Sequence, residues 1–319
     1  MKKIILFIII CLLQLSCSKS DSEQNDPYSN EEKVLIVGQP IVIYVGVKSG
    51  KIYNVKSTNH FNFGIFSKSD DAFYAVETSG KEIRIIPAEQ FRSNMELTSF
   101  EESILQVNNL EGFQISKIFL EQDGYLHVLY NTMTGVPTQG IGKINLSTNE
   151  FESLHSGFYY DPIAWANYHY DSLDKILYRF ENSFGLKLTN GVNIVDGSNE
   201  IINKEFGDID LSTTIPTFES SINHDFYFTK RLDTNPLLYK FNTQSKEMIN
   251  LGHLPTDRNN MMDYYFVNSK NKVYYTSFLG SGSSICSFDF STNAKTEVSI
   301  KGNSITGTIN SSDQIIFID

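Results

Sequence analysis

One segment of the chain places aromatic rings directly beside a carboxylate. Tyr159, Tyr160 and Asp161 are consecutive, Pro162 follows them, and Trp165 is the single tryptophan of the sequence. Aromatic rings pack on the apolar surface of small ligands, whereas a charged group fixes the orientation of the ligand. This segment is therefore the first candidate for a ligand-binding site. The alternative is that these are ordinary loop residues, with Trp165 buried between structural repeats.

Other polar segments carry the remaining candidates for ligand binding, which combine charge with aromatic character: Arg231, His253, Arg258 and Tyr264. Asp208 and Asp210 are two positions apart, so in an extended loop both carboxylates would point to the same side, where they could form a weak Ca²⁺ site. No glycine or distal glutamate completes an EF-hand loop there, so a solvated acidic loop is the favoured interpretation. We predict no cofactor, and no metal site beyond that weak candidate pair.

The motifs that identify common enzymes are missing from the sequence. It contains no HExxH or HxH, no Cys/His ligand spacing, no GxSxG elbow and no phosphate-binding glycine loop. His127 and His169 alternate with apolar residues and are interpreted as structural histidines with satisfied hydrogen bonds. No catalytic residue is predicted.

A repeated unit determines which architecture must position these residues. A polar turn followed by an apolar strand recurs at steps of 53, 50, 50, 47 and 42 residues, around Phe73, Leu126, Ile176, Phe226, Val273 and Ile315. A second unit, a strand, a polar turn and a strand, follows several of them. Four antiparallel strands repeated every 40 to 50 residues or so are typical of propeller blades. We predict an all-β, six-bladed β-propeller, with a β-sandwich or β-helix as the alternative.

The two ends of the chain are predicted to complete one blade together. The sequence ends at Asp319, directly after the second predicted strand of the sixth repeat, which leaves that blade two strands short. Predicted strands over residues 41–47 and 51–56, joined by a hairpin turn at Ser49 and Gly50, can supply them. N-terminal strands in the last blade would close the ring and cover its open edge.

Turn chemistry divides the predicted propeller into two faces. The tight turns have Asn or Asp at a strand end followed by Ser, Thr, Asn or Gln, whose side chains bond their own backbone. Binding residues lie preferentially on longer loops, so we expect the functional face opposite the tight turns. The longer loops are predicted at residues 99–113, 131–138, 156–162, 191–216, 231–236 and 252–263.

The N-terminus has the order of a secretory signal. Lys2 and Lys3 precede an apolar run over residues 4–13, about half the length of a bilayer span, and Ser16 and Cys17 follow. This order resembles the lipobox of bacterial lipoproteins, although Gln14 stands where leucine is usual. The resemblance implies that residues 1–16 are a signal peptide and that Cys17 is acylated. An ordinary cleaved signal with a chance cysteine is the alternative.

The residues after Cys17 are polar and acidic, which predicts a flexible tether over residues 17–33 and a propeller domain over residues 34–319. Asp21, Glu23 and Asp26 resemble the surface-export signal of Bacteroidota lipoproteins. This resemblance implies an outer-membrane lipoprotein, and surface-exposed and periplasm-facing placements both stay open.

Charge and cysteine content narrow the possible partners. Loss of residues 1–16 removes two lysines and no acids, which lowers the formal charge from −11 to −13. Nucleic acid is therefore not an expected partner. With Cys11 removed and Cys17 acylated, Cys286 alone remains, so no internal disulfide is expected.

These observations favour a lipid-anchored binding protein that captures a glycan, a small nutrient or a partner protein at its long-loop face. One alternative is a propeller enzyme of lactonase, lyase or glycosidase type, whose site would be assembled from several blades without a local motif. Another is an adhesin or scaffold subunit that acts by protein contact. Three or more Asp, Glu or His side chains converging at the channel mouth would favour the enzyme.

Overall fold

The computed structural model describes residues 30–37, 41–57, 61–92, 102–135, 138–159, 167–182, 186–200, 204–205, 213–215, 224–230, 237–253, 264–267, 270–279, 282–301 and 314–317. The chain divides into two units, Met1–Glu31 and Glu32–Asp319. All strands among these described residues belong to the second unit. Among the described residues, no helix has the length and apolar character needed to cross a membrane.

The second unit is built from antiparallel strands. It begins with β1 (Lys33–Val37), β2 (Ile41–Gly46) and β3 (Ile52–Ser57). Sheet I follows, with β4 (Phe61–Ser67), β5 (Ala72–Glu77), β6 (Glu82–Pro87), the short helix α1 (Glu89–Arg92) and β7 (Ser103–Gln106). Sheet II contains β8 (Phe113–Gln122), β9 (Tyr125–Thr132), β10 (Thr138–Asn145) and β11 (Phe151–Tyr159).

Three further sheets repeat this order. Sheet III contains β12 (Asn167–Asp171), β13 (Ile176–Asn182), β14 (Leu186–Asn193) and β15 (Asn199–Glu200), and β16 (Lys204–Glu205) also pairs with β14. Sheet IV contains β17 (Thr213–Ile215), β18 (Asp225–Lys230), β19 (Leu237–Asn242) and β20 (Met248–His253). Sheet V contains β21 (Tyr264–Val267), β22 (Lys272–Leu279), β23 (Gly282–Asp289) and β24 (Ala294–Ser299).

The last strand of the chain, β25 (Gln314–Phe317), pairs with the first. Val34 lies opposite Phe317 and Val37 lies opposite Gln314, so sheet VI has the strand order β25, β1, β2, β3. The expected contribution of two N-terminal strands was therefore wrong in number. Three strands come from the N-terminal side, because the run at Lys33–Val37 is itself a strand with four buried residues. The repeat around Ile315 consequently supplies the first strand of its sheet and not the second.

Burial explains the composition of the strands. The second strand of a sheet is rich in apolar residues, as in β5, where five of six residues are buried, because both of its faces pack against other side chains. The fourth strand alternates between exposed and half-buried residues, as in β24, because only one of its faces is covered. The second strands therefore carry the strongest sequence repeat.

Consecutive sheets pack against each other through apolar side chains. One core cluster joins sheets V, VI and I, and others join I with II, II with III and IV with V. At the junction of sheets III and IV, the ring centroids of His169 and Phe226 are 5.0 Å apart. Each sheet thus contacts the next one along the chain, and sheet VI contacts sheet I.

Two predicted loops contain regular structure. The segment 99–113 includes β7, where Leu105 is buried and pairs with Ile83. The segment 191–216 likewise includes β15, β16 and β17.

Candidate functional site

Each sheet has two ends with different connections. The turn end is the end of a sheet at which the first strand connects to the second strand and the third strand connects to the fourth. The loop end is the opposite one, where the second strand leads to the third and the fourth leads to the next sheet. Side-chain oxygens close several turn ends by accepting backbone N–H groups, as Asn145 does from Ser147, Asn242 from Gln244 and Asp289 from Ser291. The predicted turn chemistry is confirmed at these positions.

Three of the sequence-predicted binding residues belong to strands that end or begin at the loop end. Tyr159 is the last residue of β11, His253 is the last residue of β20 and is exposed, and Tyr264 is the first residue of β21. The remaining candidates lie outside the described residues: Tyr160, Asp161, Trp165, Asp208, Asp210, Arg231 and Arg258. The lipidation candidate Cys17 lies outside them as well. Their selection as binding residues therefore stays a prediction.

A polar cluster that no sequence motif indicated joins the turn ends of sheets III and IV. Asp171 ends β12 and its side chain is fully buried, while His224 directly precedes β18. The Oδ2 atom of Asp171 lies 2.9 Å from Nδ1 of His224 and accepts a 2.8 Å hydrogen bond from the Thr243 hydroxyl. Because a carboxylate only accepts, Nδ1 of His224 must carry the proton that faces it.

The other oxygen of Asp171 organises its own turn. Oδ1 accepts the backbone N–H groups of Leu173 at 3.0 Å and Asp174 at 3.4 Å. Burial opposes ionisation of Asp171, but the hydrogen bonds from Thr243, His224 and Leu173 outweigh it and hold the pKa of this carboxyl below its usual range. Asp171 is therefore an ionised buried group that binds two sheets together.

The cluster also has the composition of a metal site. Ligand atoms of Asp171, Asp174 and His224 all lie within 4.8 Å of one another, and divalent cations accept carboxylate and imidazole donors. However, Asp171 already accepts four hydrogen bonds, which use the lone pairs of both oxygens. A cation would have to replace the proton on His224. We therefore interpret this cluster as a structural tie between the sheets.

The turn that holds His224 has a backbone conformation that recurs in other sheets. His224 has a φ of 60°, and a residue with positive φ also directly precedes the second strand in four other sheets: Asp71, Gly124, Lys175 and Asn271. The recurring left-handed position marks where these turns close. It does not reveal that the turns of sheets III and IV meet, because that contact joins residues 53 and 72 positions apart.

The two strand histidines are buried, as expected. Burial lowers the pKa of His127 to about 4, with a further contribution from the nearby charge of Lys143, and lowers the pKa of His169 to about 3. The expectation of satisfied hydrogen bonds was wrong for His127, since its Nδ1 atom is buried and has no hydrogen-bond partner within the described part of the chain. Both rings stay neutral near pH 7 and contribute to the core.

Comparison with known proteins identifies a fold and no family. No protein-family model matches the chain, and no curated protein matches it. Among solved structures it is similar to TolB from Acinetobacter baumannii, at 9% identity and a TM-score of 0.55 over 89% of this chain and 65% of that one. The chain thus spans less than two thirds of the length of TolB.

Two further structures show the same likeness. The nidogen/laminin complex aligns at 12% identity and a TM-score of 0.56, over 90% of this chain and 98% of that one. An oligogalacturonate lyase in complex with manganese aligns at 11% identity and a TM-score of 0.53, over 81% and 73%. Identities this low concern the fold alone, which is all-β and propeller-like.

Proposed function

We propose that this protein is a lipoprotein, anchored to the outer membrane through Cys17, whose β-propeller binds a small polar ligand such as a glycan or nutrient, or a partner protein. The observation that carries the proposal is the difference between the two ends of the sheets. In each of sheets II to V, one turn at the turn end is short, and its side chains and backbone satisfy one another, whereas the connections from β6 to β7 and from β17 to β18 are longer. At the loop end, segments rich in aromatic and charged residues connect the strands.

The proposal includes six blades and a closed ring. Its support is that six sheets succeed one another along the chain, that each contacts the next, and that β25 pairs with β1. In such a ring all loop ends share one face, so Tyr159, Tyr160, Asp161 and Trp165 would stand near Arg231, His253, Arg258 and Tyr264. The likeness to solved propellers supports the ring but does not favour any one ligand.

A ligand screen followed by a matched pair of variants tests the binding face. Purified mature protein is first screened by thermal shift against glycans, metal ions and iron chelates, because a ligand that prefers the folded state raises its stability. The triple variant Tyr159→Ala, Tyr160→Ala, Arg258→Ala should then weaken binding at least about tenfold, since rigid aromatic and arginine anchors contribute most of the binding energy.

The control is a double variant at the turn end of sheet IV, Gln244→Ala with Lys246→Gly. Both residues are exposed, and glycine suits the φ of 58° at Lys246, where alanine would be strained. This control should bind like the wild type. Loss of binding in the control but not in the triple variant would refute the assigned face.

The anchor has a separate test. Cys17→Ala should abolish palmitate labelling and release the protein from the membrane fraction, because a single short apolar run precedes Cys17 and is removed with the signal peptide. A wild-type protein without palmitate, or a variant that still fractionates with membranes, would refute the lipoprotein proposal.

A further inference from the structure

The chain enters the second unit at the turn end of sheet VI. Lys33, the first residue of β1, lies opposite Gly46, the last residue of β2 before the turn that leads to β3. The backbone N–H of Val47 in that turn donates a 2.9 Å hydrogen bond to the carbonyl of Glu32. Glu32 therefore lies beside the tight turns and a full strand length away from the loop end.

Glu32 is fixed in this position by the neighbouring sheet. Its Oε1 atom lies 3.2 Å from Nζ of Lys270 and 3.3 Å from Nζ of Lys272, and its Oε2 atom accepts a 2.9 Å hydrogen bond from the Tyr274 hydroxyl. Burial would raise the pKa of Glu32, but these partners outweigh it and lower the pKa.

Two of the partners of Glu32 bracket the turn end of sheet V, since Lys270 belongs to the turn before β22 and Lys272 is the first residue of that strand. The entry point is thus held by two sheets at once, and the preceding chain departs from a defined place on the protein.

The length of the tether limits how far this place can lie from the lipid anchor. Fourteen residues separate Cys17 from Glu32. The flexible tether predicted from their composition would span roughly 20 Å on average, and about 50 Å at full extension. The eight residues of β9, in contrast, place its loop end roughly 25 Å beyond its turn end.

We propose that the turn ends face the membrane that carries the anchor, and that the loop end faces away from it. This inference rests on the proposed lipid anchor at Cys17. It holds for either leaflet, because it depends only on where the tether joins the propeller. The ligand or partner of the loop end is then a solute or macromolecule of the aqueous phase beyond.

Energy transfer from single labelled cysteines to acceptor lipids tests this orientation. The lipidated full-length protein is reconstituted in vesicles that contain a lipid-bound acceptor dye. The donor dye is attached at matched positions of two sheets, all of them exposed. Lys68→Cys and Thr148→Cys label the turn ends of sheets I and II, and Thr78→Cys and Met133→Cys label their loop ends. The natural Cys286 is fully buried and does not compete for the dye.

Transfer should be about twofold or more stronger from the turn-end position than from the loop-end position of the same sheet, because the two ends of a strand lie roughly 20 to 25 Å apart. Equal transfer from both ends, or stronger transfer from the loop end, would overturn the orientation while leaving the anchor intact. Failure of the protein to bind vesicles and to carry palmitate would overturn the anchor itself, and the orientation with it.

Discussion

Replacement of Asp171 should separate the turn ends of sheets III and IV. The carboxylate is fully buried and accepts four hydrogen bonds, two within its own turn and two from Thr243 and His224 of the next sheet. Removal of one member of a buried charged network typically costs about 3 to 5 kcal/mol, because the remaining polar groups lose their partner in a dry environment. We expect Asp171→Ala to lower the free energy of unfolding by about 4 kcal/mol.

The conservative variant separates the contribution of the charge from that of the shape. Asp171→Asn keeps one oxygen for the two turn amides and loses the charge-assisted bonds to the next sheet. A hydrogen bond to a charged group contributes about 1.5 to 3 kcal/mol to stability, whereas a neutral hydrogen bond contributes about 1 kcal/mol. We therefore expect the free energy of unfolding of Asp171→Asn to be about 2 kcal/mol lower than that of the wild type. Asp174→Asn is the matched control. Its side chain is 31% exposed, and we expect a loss below about 1 kcal/mol.

Urea unfolding at neutral pH, followed by circular dichroism, measures these differences. A double-mutant cycle with Thr243→Val should give a coupling energy of about 1 to 3 kcal/mol, since the two side chains are in direct contact. If the free energy of unfolding of Asp171→Ala lies within about 1 kcal/mol of the wild-type value, the cluster does not hold the sheets together. The interpretation as a structural tie would then be refuted.

The same carboxylate predicts a pH dependence. The pKa of Asp171 in the folded protein lies below the unfolded value of about 3.9, so its contribution to stability is fully present above that value. The contribution is lost as pH falls further, through the folded pKa. The variant Asp171→Asn should therefore lose less of its free energy of unfolding than the wild type as the pH falls through this range.

Three other changes test the packing. The pKa of His127 is about 4 in the folded protein and about 6.5 in the unfolded chain, so unfolding takes up a proton at mildly acidic pH. The wild type should therefore lose about 2 kcal/mol more of its free energy of unfolding between about pH 7.5 and 5 than the variant His127→Phe. Urea titrations that give equal losses for the two proteins would contradict this. Gly50→Ala places a methyl group 2.1 Å from the Ser299 carbonyl oxygen and should cost at least about 2 kcal/mol in a thermal melt, against about 1 for Gly124→Ala, which has positive φ but open space. Deletion of residues 314–319 removes β25 and should cost about 3 kcal/mol or more by exposing the edge of β1, so a cooperative melt near the wild-type temperature would count against a closed ring.

Local chemistry made much of the architecture readable in the sequence. The second strands repeat as apolar runs because both of their faces are covered, and the turns repeat because Asn145 and Asn242 bond backbone groups two and three residues ahead. Such interactions depend on near neighbours in the chain, so they appear as spacing and composition. The all-β class followed from them.

The tertiary structure decided the features that depend on distant partners. Periodicity alone could not show that β25 is the first strand of sheet VI, because that position is set by pairing with β1 from the other end of the chain. It also could not show that Asp171 meets Thr243, 72 residues later, or that Glu32 meets Lys270 and Tyr274. Asp171 and Glu32 look like ordinary polar residues in the sequence. Their importance arises only where folding removes water from a carboxylate and supplies donors from a neighbouring sheet.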